Sequence, residues 1–442
     1  MDNIVSIHSA PRSGSSWLLS IFNSHLNTKC VYQPLFSHAF KNELSEQSMK
    51  SDFDLFIEKI KTTEDDFCNM RSNYHLNNGK DSEVSFKKHQ ITSVVMKHTT
   101  HHNLMEHLIK WNPQIKIIGL IRDPSKTIES QMKAKHEKLV DWLNGEDKNM
   151  GIRENYFGFN KWRETHDEFV RLKEQYKDNV YLVRYEDLVK DPLEEIRKLF
   201  LFCNLVLTQE TKNFIYLSTS TTNDYDYSVF KNKEQMSITT TNLSAEITQH
   251  INNKYPKIAI IIAINDLLSV NGTTQNGIKG ELGYVEQFLM LYYSINDNWF
   301  FNYKIYIAHS RDFSGRTLTR LSALNVSFIK IDTPNLLVRP ESYLVNIDCD
   351  YRLVLDADMI ALSNPSFNFN YDAQGMYGDF DYETLPSKLF SVLKITKPNA
   401  NNYQKYATIK TMPYLWSIKH TNLVRDFYKT EFSYTKKYLP DF

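Results

Sequence analysis

The chain alternates short apolar runs with longer amphipathic ones. "NIVSIH" (3–8) is a run of strand length, and "SSWLLSIFNSHL" (15–26) carries Trp17, Leu18, Ile21 and Phe22 at helical spacing. Residues 34–90 are irregular and polar, with helical pieces such as "DFDLFIEKI" (52–60). Strand patterns return in "SVVMKH" (93–98), "IKIIGLIRDP" (115–124) and "NVYLVRYEDL" (179–188). Helical patterns fall between them, in "HHNLMEHLIKW" (101–111), "SKTIESQMKAKHEKLV" (125–140) and "ENYFGFNKWRETHDEFVRLKEQY" (154–176). "DPLEEIRKLFLFCNL" (191–205) opens with Asp191 as a helix N-cap and Pro192 at the first helical position. Strands alternating with helices predict a parallel sheet in an α/β domain.

Residues 217–250 turn polar and rich in Ser, Thr and Asn, which predicts the end of one domain and a linker. The alternation then restarts. "KIAIIIAIN" (257–265), "YKIYIAHS" (303–310), "VSFIKID" (326–332) and "YRLVLDADMIAL" (351–362) read as strands. "GELGYVEQFLMLYYSI" (280–295) and "SGRTLTRLSAL" (314–324) read as helices. The expected organisation is a domain over 1–240, a linker over 241–254 and a second, Rossmann-like domain over 255–442, without an internal repeat relating them.

Composition narrows the function. The 442 residues hold 52 Lys+Arg and 52 Asp+Glu, so no global basic field points to nucleic acid or an anionic membrane. No run approaches the ~18 apolar residues of a membrane span. The N-terminus lacks a basic segment followed by an apolar one, so a cytoplasmic protein without a signal peptide is expected. Cys30, Cys68, Cys203 and Cys349 form no CxxC pair and read as free thiols.

The first candidate chemistry lies in "HSAPRSGSSW" (8–17). A strand, a turn at Gly14 and a helix opened by Ser15 and Ser16 form an anion site, because the first helical N–H groups are unpaired and the helix dipole is positive there. A nucleoside-triphosphate loop needs GxxxxGK[ST], and its lysine is missing, which argues against a P-loop kinase. Further on, "LIRDPSKTIES" ends a strand at Arg122 and places Ser130 two turns into the next helix, where guanidinium and hydroxyl can converge on one phosphate.

Together these segments resemble the sulfotransferases that use 3′-phosphoadenosine-5′-phosphosulfate (PAPS), the carbohydrate sulfotransferases above all. The resemblance covers roughly residues 1–240. In that family "PRSGSSWL" is the 5′-phosphosulfate loop, "RDP…S" the 3′-phosphate element, and "VYLVRYEDLVKDP" a strand and helix bordering the adenine. It implies that Arg12 and the backbone of Ser13, Gly14, Ser15, Ser16 and Trp17 hold the phosphosulfate and stabilise the leaving phosphate. Arg122 and Ser130 would hold the 3′-phosphate, and Tyr185 would border the adenine. The acceptor would be a carbohydrate or related hydroxyl. Many family members carry Glu-Pro after the first helix, the glutamate serving as base. Here the residues are "QPLFS", with Gln33, which cannot accept a proton. His38, His98 and Glu43 are candidate bases by type, and Lys97 could face the same cleft.

In the second half, "CDYRLVLDADMIALSNP" (349–365) ends a strand pattern in Asp356 and Asp358, two carboxylates that a strand turns to one side, able to share a divalent cation. The segment resembles the DxD region of GT-A-fold, family-8-like glycosyltransferases. That implies Mn²⁺ or Mg²⁺ on Asp356 and Asp358, a nucleotide-sugar donor, and Asn265 in the nucleoside pocket. The late HxxGxxKPW motif of family 8 is absent, His420 is isolated, and about 84 residues follow the DxD. The expectation is therefore a sulfotransferase that also transfers a sugar. The alternative is a sulfotransferase whose second domain only binds glycan or nucleotide.

Overall fold

The computed structural model describes residues 3–41, 43–71, 86, 88–133, 157–221, 229–230, 236, 243–264, 284–309, 312–313, 315–331, 345–355, 361, 373–374 and 415–417. The chain divides into two compact units, 1–251 and 252–442.

The first unit is built on five parallel strands, β1 (Asn3–Ser9), β2 (Thr28–Tyr32), β3 (Ser93–His98), β4 (Lys116–Ile121) and β5 (Val180–Arg184). Their spatial order is β2-β3-β1-β4-β5. β1 is therefore central, with the carboxyl ends of β3 and β4 on either side of its own. Its run from Ile4 to Ser9 is wholly buried, including the polar Ser6, His8 and Ser9. α1 (Ser15–Asn23) buries Trp17, Leu18, Leu19, Ile21 and Phe22 in one core with Val5, Ile7, Val95, Ile118 and Val183.

The other helices of this unit are α2 (Lys50–Lys61), α3 (Met105–Trp111), α4 (Pro124–Gln131), α5 (Phe159–Gln175), α6 (Tyr185–Lys190), α7 (Pro192–Phe202) and α8 (Gln209–Ser220), and α9 (Ala245–Lys254) runs across the division between the units. The start signal at Asp191 acts as expected, and Asp123, not anticipated as a cap, acts in the same way. Asp123 and Asp191 accept the backbone N–H groups of Lys126 and Glu194 at 3.0 and 3.2 Å, each ahead of a proline at the first helical position.

Four features differ from the sequence pattern. β2 was not anticipated; it is a short edge strand whose "TKCVY" mixes polar and apolar residues. The strand expected over 179–188 stops at Arg184, and Tyr185 opens a helix. α8 begins ahead of the polar stretch at 217 and buries Phe214 and Ile215. The segment read as a linker, 241–254, instead carries α9, which buries Ile251.

The second unit has a six-stranded sheet of β6 (Ile258–Ala263), β7 (Tyr303–His309), β8 (Val326–Lys330), β9 (Tyr351–Leu355), β10 (Ala373–Gln374) and β11 (Leu415–Ser417), with α10 (Tyr284–Asn298) and α11 (Gly315–Ser322). Its order is β10-β11-β9-β6-β7-β8. The strands β6 to β9 are parallel, and β11 runs antiparallel to β9. Among the described residues no helix is long and apolar enough to cross a membrane.

Candidate anion site

The loop between β1 and α1 bends through two left-handed residues, Arg12 at φ 70 and Gly14 at φ 91. Gly14 is required twice over. Its φ disfavours any β-carbon, and a Cβ there would lie 2.6 Å from Tyr185 Cδ2. The first intrahelical bond of α1 runs from Leu18 N–H to the Gly14 carbonyl at 3.2 Å. The N–H groups ahead of it lack an intrahelical acceptor. The Ser15 hydroxyl is tied back by Ser9 Oγ at 2.8 Å, and the Trp17 indole is buried, donating to Ser218 Oγ at 3.0 Å. Both residues therefore turn their side chains away from the loop and leave only backbone to it. Ser13 Oγ is buried with no hydrogen-bond partner.

The structure brings Arg122, Ser130 and Tyr185 to this loop. Arg122 follows the carboxyl end of β4; its Nη1 donates to the Arg12 carbonyl at 2.8 Å, and its guanidinium lies over the Tyr185 ring, 4.6 Å from the centroid. The same ring meets Trp17 edge-on at 6.3 Å. Arg12 Nε donates to Ser130 Oγ at 3.3 Å. Arg122 Nε is buried without a partner. A buried, unpaired guanidinium N–H and a buried, unpaired hydroxyl are costly unless an anion meets them. Two arginines, a serine and a helix N-terminus thus converge at the carboxyl edge of the sheet, where ligands of open α/β sheets sit.

Gln33 stands beside this edge. It is buried and left-handed (φ 43), its N–H donates to the Lys97 carbonyl at 2.8 Å, and its Oε1 accepts from Thr99 Oγ1 at 2.8 Å. With Oε1 engaged, the amide nitrogen can only donate. Lys97 is buried with its Nζ over the Tyr32 ring at 4.3 Å. His98 is buried and stacked on His8, its register partner on β1, with centroids 5.0 Å apart. His8 Nδ1 in turn meets His102 Nδ1 at 3.1 Å, and its Nε2 meets Ser6 Oγ at 2.8 Å. Burial, followed by the neighbouring histidines, holds His8 and His98 well below the usual imidazole range. Burial, with Lys161 and His101, lowers His102 to about 3. All three are neutral near pH 7. His38 is exposed, and Glu43 is taken up by Lys59 at 2.7 Å.

Sequence reasoning missed His8, His102, Thr99 and Gln131. His8 sits inside the quoted loop segment, but nothing in its spacing announces that it pairs with residues more than 90 positions away. Asn265, Asp356, Asp358 and His420 lie outside the described residues. Among the described residues no group of three or more His, Cys, Asp and Glu side chains is arranged to hold a metal. The four cysteines are free.

This arrangement gathers anion-binding groups at the edge of the sheet, in a segment that is similar to known proteins. Residues 5–209, all within the first unit, match the sulfotransferase family. Mouse carbohydrate sulfotransferase 3 is 28% identical over 132 residues, 27% of this chain and 27% of that protein. Carbohydrate sulfotransferase 3 of Tetronarce californica is 31% identical over 113 residues, 24% of this chain and 25% of that one. The chain thus spans about a quarter of the length of these curated relatives. Among solved structures, mouse sulfotransferase SULT7A1 complexed with PAP aligns over 58% of this chain and 83% of its own, at TM-score 0.34 and 13% identity. The sulfotransferase domain from the curacin biosynthetic pathway aligns over 57% and 98%, at TM-score 0.31 and 17% identity.

Proposed function

We propose that the first unit transfers a sulfuryl group from PAPS to a hydroxyl of a carbohydrate or related acceptor. The observation that carries this reading is the convergence of Arg12, Arg122 and Ser130 on one loop that also holds two unpaired buried donors, Ser13 Oγ and Arg122 Nε. Those residues fit a ligand with an anion at each end. Arg12 and the N–H groups of Ser13 to Trp17 take the 5′-phosphosulfate; Arg122 and Ser130 take the 3′-phosphate. Tyr185 acts beneath them, as the ring that supports Arg122.

The acceptor oxygen forms its bond to sulfur while the sulfur–oxygen bond to the 5′-phosphate breaks. Charge grows on the leaving phosphate, and preorganised N–H donors with an arginine stabilise it there. Gln33 orients the acceptor by donating its amide N–H, since it can take no proton. The acceptor's proton passes to a histidine, for which the exposed His38 is the candidate; His98 is set aside by the burial that holds it well below the usual imidazole range, and Glu43 by its ion pair with Lys59. Calorimetry tests the donor assignment. The protein should prefer 3′-phosphoadenosine 5′-phosphate (PAP) over ADP, and Arg122→Ala should abolish the preference. Equal affinity of the wild-type protein for the two would sink the reading.

For the second unit we propose nucleotide-sugar binding and glycosyl transfer on a GT-A-like sheet. The supporting observation is the strand order: from β6 the sheet is extended to one side by β7 and β8 and to the other by the parallel β9, so the order reverses between β6 and β9, and in sequence Asn265 comes just after β6 and Asp356 just after β9. Divalent-ion-dependent hydrolysis of a UDP-sugar, lost in Asp356→Asn, is the expected result. Failure of any sugar nucleotide to bind would leave this unit a binding module for glycan.

A further inference from the structure

Neither arginine of the donor site is held in place by its own loop alone. Arg12 is left-handed, a conformation that a residue with a β-carbon keeps only when its surroundings enforce it. The carbonyls on either side of its α-carbon are both gripped from elsewhere. Arg122 Nη1 takes the carbonyl of Arg12 itself, and Gln131 Nε2 takes that of Pro11 at 3.1 Å. Gln131 is 1% exposed, and the other end of its amide is also used, accepting the Gly158 N–H at 3.1 Å. Gly158 is the residue ahead of α5, and Trp162, one turn into that helix, donates its Nε1 to the Arg122 carbonyl at 3.0 Å. The Trp162 N–H bonds the Gly158 carbonyl at 3.1 Å, so both contacts spring from one helical turn.

We infer that Gln131 and Trp162 are positioning residues of the donor site, Gln131 for the loop that carries Arg12 and Trp162 for Arg122. Each serves one end of the ligand. The clasp at Pro11 shapes the 5′ loop, while the contact at the Arg122 carbonyl sets where the 3′-binding guanidinium stands. This inference rests on the PAPS reading above and extends it to two residues outside the family's motifs. A buried amide with both ends bonded to backbone is a rigid strut, because neither end can swing without orphaning a partner.

The test is calorimetric titration of the full chain with PAP and with 5′-AMP, for wild type, Gln131→Met and Trp162→Phe. Loss of the hydrogen bond that reaches the site, to the Pro11 carbonyl in one variant and to the Arg122 carbonyl in the other, should weaken binding about three- to tenfold. Gln131→Met should weaken both ligands by the same factor, leaving their ratio unchanged. Trp162→Phe should weaken only PAP, so the ratio falls. A merely structural role would lower the melting temperature and leave the affinities of the folded variants at wild-type values; that result overturns the inference. So does a change of ratio in Gln131→Met. A wild-type protein without preference for PAP removes the donor reading itself, and the inference with it, and shows in the first arm. If Gln131→Met does not fold, Gln131→Asn keeps an uncharged amide that is one methylene too short to span Pro11 and Gly158 together, with the same expectation.

Discussion

Gly14→Ala tests the architecture of the donor loop most directly. Two costs add. Holding a residue with a β-carbon in the left-handed region costs about 1–2 kcal/mol. The new methyl would also stand 2.6 Å from Tyr185 Cδ2. That ring has little room to retreat, with the Arg122 guanidinium over its face and Trp17 at its edge. Overpacking of this kind costs about 1–3 kcal/mol. The sum is a loss of about 2–5 kcal/mol from the first unit. With two units in the chain, a single global melt is a poor measure. Native-state hydrogen exchange of peptides from β1 and α1 reads the unit's own stability. The steric share should reappear as a coupling of about 1–3 kcal/mol in a double-mutant cycle with Tyr185→Ala, since that truncation removes the atoms the methyl meets. Protection of Gly14→Ala within about 0.5 kcal/mol of wild type would refute both the left-handed strain and the contact.

Three further outcomes are expected. His8, His98 and His102 are kept neutral by burial, so below pH 6.5 the unfolded chain takes up protons that the folded one refuses. The first unit should therefore lose about 1.4 kcal/mol per pH unit for each of them as pH falls from 6.5, for His102 down to about 3; protection that stays flat between pH 7 and 5 would contradict their burial. Trp17→Phe removes the donor to Ser218 and some core volume, and should cost about 1–2 kcal/mol by the same exchange measurement without changing the PAP/AMP ratio. In the second unit, Arg320 and Glu286 pair at 2.6 Å with side chains about 40% exposed, so Glu286→Gln should cost less than about 1 kcal/mol in exchange protection of α10.

The strands that build the site were legible because burial on both faces leaves them few polar positions. β4 and β6 appear as nearly continuous apolar runs and β1 and β3 as predominantly apolar ones, and each lies inside its sheet. The edge strand β2 escaped notice for the complementary reason: Thr28 and Lys29 break its apolar run. Asp191 ahead of a proline marked a helix start because capping acts through adjacent residues, and local chemistry is visible in local sequence. α9 escaped because a helix that buries little beyond Ile251 has almost no apolar stripe to display.

The same distinction separates the parts of the donor site. Gly14 could be singled out because a tight turn into a helix is a backbone requirement that few residue types meet, Arg122 and Ser130 because their spacing lets them converge on one anion, and Arg12 through the family resemblance. Gln131 answers to a different requirement. It bonds a carbonyl 120 residues earlier and an N–H 27 residues later, and both partners are backbone groups that every position but proline's N–H supplies. No partner side chain marks such a contact in the sequence, so only the folded geometry selects it. The Gln33 amide is of the same kind. Its meaning comes from Thr99, whose hydroxyl occupies Oε1 and leaves the amide nitrogen as the group that can meet an acceptor. A glutamate at that position would bring a buried negative charge against the donor's own phosphates, and its burial would push the carboxyl pKa upward. The amide keeps the hydrogen bond without the charge, which suits the orienting role proposed for Gln33.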